Sequence, residues 1–255
     1  MKTFFNNLLI LILILNTGMQ GLSAQSLTTI RYMPHWLHQA QFAGLYMAYE
    51  KGYYADAGLN VEILDGGPAF PMGKVFTDDI ADMGTMFLSG AIELADEGVQ
   101  LVNIGQLSKK SALIFIAKKS DSINTVGDFH GKKIGIWRSD FRELPMAFIK
   151  KYNINAEIVP ITSTINLFLE GGIDIMCVMW YNEYDQVYLA GIDHEDLNAF
   201  FFFDYGLNFP EDGIYCKKSF LEQHPEACRN FMEATMKGWK YAFDHKEETL
   251  DVVLQ

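Results

Sequence analysis

Residues 51–67, KGYYADAGLNVEILDGG, followed by 74–90, KVFTDDIADMGTMFLSG, have a weak second copy in 150–163, KKYNINAEIVPITS, followed by 167–183, LFLEGGIDIMCVMWYNE. In each copy an aromatic-bearing helical stretch ends near Gly or Asn, and a β-branched strand follows. A short helix comes next. An acidic residue then opens an apolar strand: Asp82 before Met83, and Asp174 before Ile175 and Met176. A chain that builds one α/β unit twice makes two similar lobes. A gap between two lobes is a natural cleft for a small molecule, because ligand sites favour domain interfaces and the C-terminal ends of strands.

The same periodicities place the other elements. In the first lobe, strands are expected at 28–33, 60–64, 81–85, 100–105 and 111–117. Helices are expected at 41–51, with Phe42, Leu45, Tyr46 and Tyr49 on one face, and at 70–79 and 89–97. The second lobe has a short helix and turn at 126–131 and strands at 133–137, 156–161, 173–179 and 200–203. Its helices fall at 141–152, 163–170 and 181–190. Residues 215–217 return to the first lobe, and helices follow at 224–238, with Pro225 in the first turn, and at 239–254. Strands alternating with helices give an α/β fold with largely parallel sheets. The expected division is 25–117 for the first part of lobe 1, 118–208 for lobe 2, and 209–255 for the return. The hinge crossings then lie near 117–122 and 204–213. No helix breaker precedes Gln255, which leaves room for further residues to complete the first lobe.

The formal charge of −12 disfavours nucleic acid and anionic membrane surfaces, both of which need clustered Lys and Arg. An anionic small ligand is compatible with it, since one Arg can bind such a group locally. Residues 1–24 read as a signal peptide: Lys2, an unbroken apolar run at 8–15, and Leu22-Ser23-Ala24 before Gln25. The run is too short to span a bilayer comfortably, so a product exported to the periplasm and cleaved near Ala24 is expected. The three cysteines have no framework spacing. Cys216 and Cys228 are the nearer pair in sequence, and Cys177 in its apolar strand reads as a buried thiol.

Loops after strand C-termini face the ligand crevice of α/β sheets. That rule selects Pro34-His35-Trp36-Leu37-His38-Gln39, Met86-Phe87-Leu88-Ser89, Arg138-Ser139-Asp140 and Trp180-Tyr181-Asn182-Glu183-Tyr184. Candidate ligand contacts are therefore Trp36, His38, Gln39, Ser89, Trp137, Arg138, Trp180, Tyr181, Asn182 and Glu183. Flat aromatic faces with a few directed polar groups suit a planar heterocycle. A carboxylate at Glu183 could accept paired N–H donors from an aminopyrimidine-like ring while Tyr181, Trp180 or Trp36 stacks on it. Capping of a helix by Asn182 and Glu183 is the structural alternative. Arg138 reads equally as a partner for an anionic ligand group or as an exposed surface residue. His35 and His38 have HxxH spacing, but no nearby carboxylate completes a ligand set, so no metal is expected. The chain has no GxSxG, GxxxxGK[ST], HExxH or CxxC motif.

The phrases FAGLYMAYEKGYYADAGLNVEILDGG, DIADMGTMFLSGAIELADEG, DFHGKKIGIW, LFLEGGIDIMCVMWYNEY and PEACRNFMEATMKGWKYAF cover most of residues 28–243. They resemble the NMT1/THI5-like family of periplasmic substrate-binding proteins. The resemblance implies the type II two-lobed periplasmic-binding fold used by ABC importers. It also implies a small, often aromatic nutrient as ligand, with thiamin pyrimidine precursors in the branch that looks nearest. In pyrimidine binders of that family an Asn-Glu after an aromatic lines the cleft, and Asn182 and Glu183 match that place. The family also contains fungal enzymes that make the thiamin pyrimidine from pyridoxal phosphate, with a Lys and a His in the segment matching 84–91. That segment here is GTMFLSGA, which has neither. The expectation is a monomeric exported binder without cofactor that hands a pyrimidine-like heterocycle to an ABC permease in the inner membrane. The rival readings are a pyrimidine-synthase-like enzyme and a sensor input domain on the same fold.

Overall fold

The computed structural model describes residues 27–138 and 141–255. The signal-peptide reading of 1–24 and the loop residues Ser139 and Asp140 lie outside them. In chain order the elements begin β1 (Thr28–Met33), α1 (Ala43–Glu50), α2 (Tyr53–Asp56), β2 (Leu59–Ile63), α3 (Met72–Thr77), β3 (Met83–Met86), α4 (Leu88–Asp96), β4 (Leu101–Gln106) and β5 (Leu113–Lys118). They continue with β6 (Lys133–Trp137), α5 (Glu143–Lys151), β7 (Glu157–Ile161), α6 (Asn166–Leu169), β8 (Ile175–Met179), α7 (Glu183–Leu189), β9 (Leu197–Phe201) and β10 (Gly213–Lys217). Three helices close the chain: α8 (Lys218–Gln223), α9 (Pro225–Asp244) and α10 (Lys246–Val253).

Two five-stranded sheets result, ordered β2-β1-β3-β10-β4 and β7-β6-β8-β5-β9. The repeat in the sequence is a repeat in space. β1 runs parallel to β2 and β3, and β6 runs parallel to β7 and β8. The acidic residues that open the third strand of each copy do the same work. Asp82 accepts the Arg31 N–H through Oδ2 at 2.8 Å, and Asp174 accepts the Lys133 N–H through Oδ2 at 2.7 Å. Each aspartate also donates its own N–H to the carbonyl of that same residue, at 2.8 and 2.9 Å. A carboxylate thus finishes the ladder where the parallel strand starts. Asp82 additionally grips the Arg31 side chain, with Nη2 to Oδ1 at 2.7 Å and Nε to Oδ2 at 3.2 Å.

One strand in each sheet departs from the largely parallel expectation. β10 is antiparallel to β3 and β4, and β5 is antiparallel to β8 and β9. β5 follows the first lobe's strands in sequence but pairs in the second sheet. The first crossing between sheets is therefore at 107–112, not near 117–122. The second lies between β9 and β10. Burial follows the pattern each position demands. The interior strand β5 is buried from Leu113 to Ala117, whereas β2 alternates buried Leu59 and Val61 with exposed Asn60 and Glu62. Pro160 sits in β7, an edge strand, where its missing N–H costs nothing.

The terminal helices also differ from expectation. A break at Gly238 was expected, yet α9 runs unbroken from Pro225 to Asp244 and the chain turns at His245. Gly238 lies against α1: a Cβ there would be 2.0 Å from the Gly44 carbonyl oxygen, and a Cβ on Gly44 would run into the Trp239 ring. The glycine is needed for a close helix crossing, not as a stop. The same crossing explains why α1 buries Gly44, Leu45, Met47 and Ala48 while Tyr49 is exposed. The phenylalanine run also splits, β9 ending at Phe201 and Phe202–Tyr205 forming a 3-10 turn. Cys177, Cys216 and Cys228 are buried free thiols, the last two hydrogen-bonded to each other.

Candidate functional site

The loops after β1, β3 and β8 and the segment after β6 converge between the sheets. They form a tight, partly open cavity lined by His35, Trp36, Gln39, Gln41, Phe87, Trp137, Phe141, Met179, Tyr181, Asn182 and Glu183. Its walls are aromatic and come from both halves. Phe141 of the second lobe meets Trp36 at 5.3 Å between centroids, Phe87 at 5.0 Å and His35 at 5.4 Å. These edge-on and tilted contacts leave ring faces available to a ligand.

Three polar atoms on the lining residues are buried without a hydrogen-bond partner among the described residues: His35 Nδ1, Trp137 Nε1 and Tyr181 Oη. Buried polar atoms are otherwise satisfied almost everywhere in folded proteins, because leaving one unpaired costs about 1–3 kcal/mol. All three belong to residues that line this one cavity. Glu183, only 2 % exposed, accepts the Met179 N–H at 3.0 Å and the Asn182 side-chain amide at 3.1 Å. Asn182 in turn accepts from Gln186 at 2.8 Å. No side chain caps the helix that Glu183 opens: its carboxylate reaches back to the last residue of β8 instead. Burial raises its carboxyl above the usual range. His35 is held neutral by burial, which pushes it down to about 3. No Lys or Arg lines this cavity among the described residues.

Trp36, Gln39, Trp137, Tyr181, Asn182 and Glu183 are brought together there, and four other named residues are not. His38 turns outward, its ring bonded to Tyr46 Oη at 2.7 Å and to Asp65 at 3.1 Å. Trp180 is 52 % exposed and lines a neighbouring groove with Phe203 and Trp239, which shares Gln41 and Tyr181 with the cavity. It stands in the turn between β8 and α7, where the Asn182 N–H donates to the Met179 carbonyl at 3.1 Å. Ser89 lies in the first turn of α4, rotated away from Phe87, and its hydroxyl is buried elsewhere. Arg138 succeeds Trp137 and points outside the aromatic cavity. His35, Gln41, Phe87, Phe141 and Met179 complete the lining. His35 had been weighed only as a metal ligand with His38, and the two side chains have no common partner.

Behind the cavity the two crossings are stitched together. Glu211 accepts from Ser111 Oγ at 2.5 Å and from the Ala112 N–H at 2.8 Å. Asp212 accepts from Gln41 Nε2 at 2.7 Å and stands 3.5 Å from His35 Nε2. Asp212 has φ +53°, a left-handed conformation that Asp tolerates better than most residues. Burial pushes Glu211 up to about 8 and Asp212 up to about 7. Both are carboxyls raised above their unfolded values. The native state therefore keeps protons that the unfolded chain has released, and stability falls as pH rises from the unfolded values of about 4 to the folded values of about 7 and 8, where the fall ends. His35 acts in the opposite sense only below its unfolded value near 6.5. A thermal melt is thus expected to fall between pH 6.5 and 8. Glu211→Gln should remove roughly 2 kcal/mol of that dependence, from the part of its shift inside the window. A wild-type melting temperature that is flat over this window would contradict the assignment.

Residues 39–249 match the model of the family described as NMT1/THI5 like. The riboflavin-binding protein RibY of Chloroflexus aurantiacus is 24 % identical over 235 residues, covering 86 % of this chain and 64 % of the relative. The formylaminopyrimidine-binding protein of Halalkalibacterium halodurans is 23 % identical over 254 residues, covering 90 % and 71 %. This chain thus spans less than two thirds of the length of RibY. Among solved structures, the periplasmic aliphatic sulphonate binding protein SsuA from Escherichia coli superposes with a TM-score of 0.72 at 15 % identity, covering 89 % of this chain and 77 % of that one. Two α/β lobes, the first completed by a strand that returns after the second, are therefore the periplasmic-binding-protein fold. With the family model matched over most of its length, this chain belongs to the NMT1/THI5-like family.

Proposed function

We propose that this chain is an exported, periplasmic solute-binding protein. In this reading it acts as a monomer, closes its lobes around a small aminopyrimidine-like heterocycle and hands it to an ABC permease. The role is binding, not turnover. The observation that carries this reading is the aromatic cavity with three unpartnered buried polar atoms and a carboxylate–amide pair at Asn182 and Glu183.

Two physical arguments favour an aminopyrimidine in this cavity. A sulfonate would need a cation or a nest of N–H donors, whereas the charged lining residue is Glu183. The acceptors Glu183 and Asn182 Oδ1 complement ring amino groups, and Tyr181 Oη and Trp137 Nε1 can donate to ring nitrogens.

Calorimetry against formylaminopyrimidine, riboflavin and an alkanesulfonate tests the reading. Saturable one-to-one binding of the aminopyrimidine is expected, with a change in tryptophan fluorescence because Trp36 and Trp137 line the cavity. Exclusive binding of riboflavin or the sulfonate would reject this ligand class. Failure of all three would reject the heterocycle reading.

A further inference from the structure

Two of the chain's four arginines, Arg138 and Arg142, line one depression of about 350 Å³ together with Trp137, Met146, Ile158 and Pro160. Neither is in an ion pair among the described residues, although acidic residues outnumber basic ones 32 to 20. Arg31, by contrast, is held by Asp82. Glu143 follows Arg142 in the chain but does not line the depression.

The depression lies beside the aromatic cavity. An intermediate space lined by Trp36, Trp137, Phe141, Arg138 and Thr162 shares Trp36, Trp137 and Phe141 with that cavity, and Trp137 and Arg138 with the depression. A substituent leaving a ring seated between the aromatics past Trp137 would therefore head toward two guanidinium groups that have no ion pair among the described residues. Guanidinium is weakly hydrated, always charged and forked, which suits a phosphate or carboxylate better than a lysine ammonium does.

We infer that the site takes a heterocycle carrying an anionic substituent of the phosphate-monoester type, with Arg138 and Arg142 binding the anionic group outside the ring cavity. This deepens the heterocycle reading and rests on it. It also resolves an apparent conflict: the ring cavity has no cation and disfavours a bare anion, while a charged tail is neutralised only where it leaves the cavity.

Calorimetry with a matched pair, an aminopyrimidine alcohol and its phosphate monoester, tests the inference on the wild type and on the Arg138→Gln/Arg142→Gln double variant. Both arginines are exposed, so the variant is expected to melt with the wild type. The monoester should bind at least about tenfold more tightly than the alcohol, a difference that one or two charge-assisted hydrogen bonds supply. That advantage should shrink with added salt and vanish in the variant, with the alcohol's affinity unchanged. Equal affinities in the wild type, or an advantage that survives in the variant, would overturn the inference. If neither ring compound binds, inorganic pyrophosphate is titrated alone. Binding that the double variant loses keeps the anion site and rejects the ring reading, whereas no binding rejects both.

Discussion

Glu183→Ala is expected to weaken ligand binding by at least about 100-fold, close to 3 kcal/mol, the loss typical of a buried charge-assisted contact. The carboxylate does two things in one place. It lines the cavity, and it fixes the Asn182 amide through the 3.1 Å bond from Nδ2. Alanine removes the acceptor, frees Asn182 to rotate and leaves the Met179 N–H without its partner. Glu183→Gln retains one acceptor oxygen but presents an NH₂ group to the other side, so a loss nearer tenfold is expected. Comparing the two variants separates recognition from folding. A merely structural Glu183 would lower the melting temperature of the alanine variant while leaving affinity within about twofold.

Gly238→Ala is expected to destabilise by about 3 kcal/mol or more, the upper end of what one added methyl costs a packed interior. The new Cβ would lie 2.0 Å from the Gly44 carbonyl oxygen and 2.7 Å from Ala48. The first of these is backbone, so no rotamer change relieves it, and α1 and α9 must move apart. Gly90→Ala is the matching control. That glycine is also helical, but its nearest neighbour would be Met86 Cε at an ordinary 3.5 Å. The substitution should be neutral or mildly stabilising, since alanine is the better helix former. Urea midpoints with unchanged slopes would measure both. A Gly238→Ala midpoint equal to wild type would mean that the crossing is looser than described.

The repeated units were legible because the periods of helix and strand differ and because Asp82 and Asp174 recur at the same place in each copy. The direction of β5 was not. Leu113 to Ala117 is a continuous apolar run, and such a run is buried whether it is parallel or antiparallel to its neighbours. Around the cavity, the crevice rule chose loops rather than side chains. It selected the segment 86–89 but favoured Ser89 for its hydroxyl, while the helix turns Phe87 inward instead. At 180–181 it favoured both aromatics, yet the chain turns there and sends Trp180 to the surface and Tyr181 inward. Phe141 carries no local signal at all, since its meaning lies in Trp36 and Phe87, which come from the other lobe. Polar residue types advertise chemistry in a sequence, whereas the apolar walls that shape a cavity do not.

The late arrival of β10 also sets an order of assembly. Sheet β7-β6-β8-β5-β9 draws on one continuous stretch, 113–201. Sheet β2-β1-β3-β10-β4 is interrupted until residues 213–217 arrive to sit between β3 and β4. A chain delivered from its N-terminus therefore finishes its second half first. Its earliest residues must wait, with β3 and β4 unjoined, until the last part of the chain supplies both β10 and the helix that covers α1. The loop that has to close contains the entire second lobe, but a lobe already folded is short from end to end, so the closure is entropically mild. Reading order and folding order run in opposite directions.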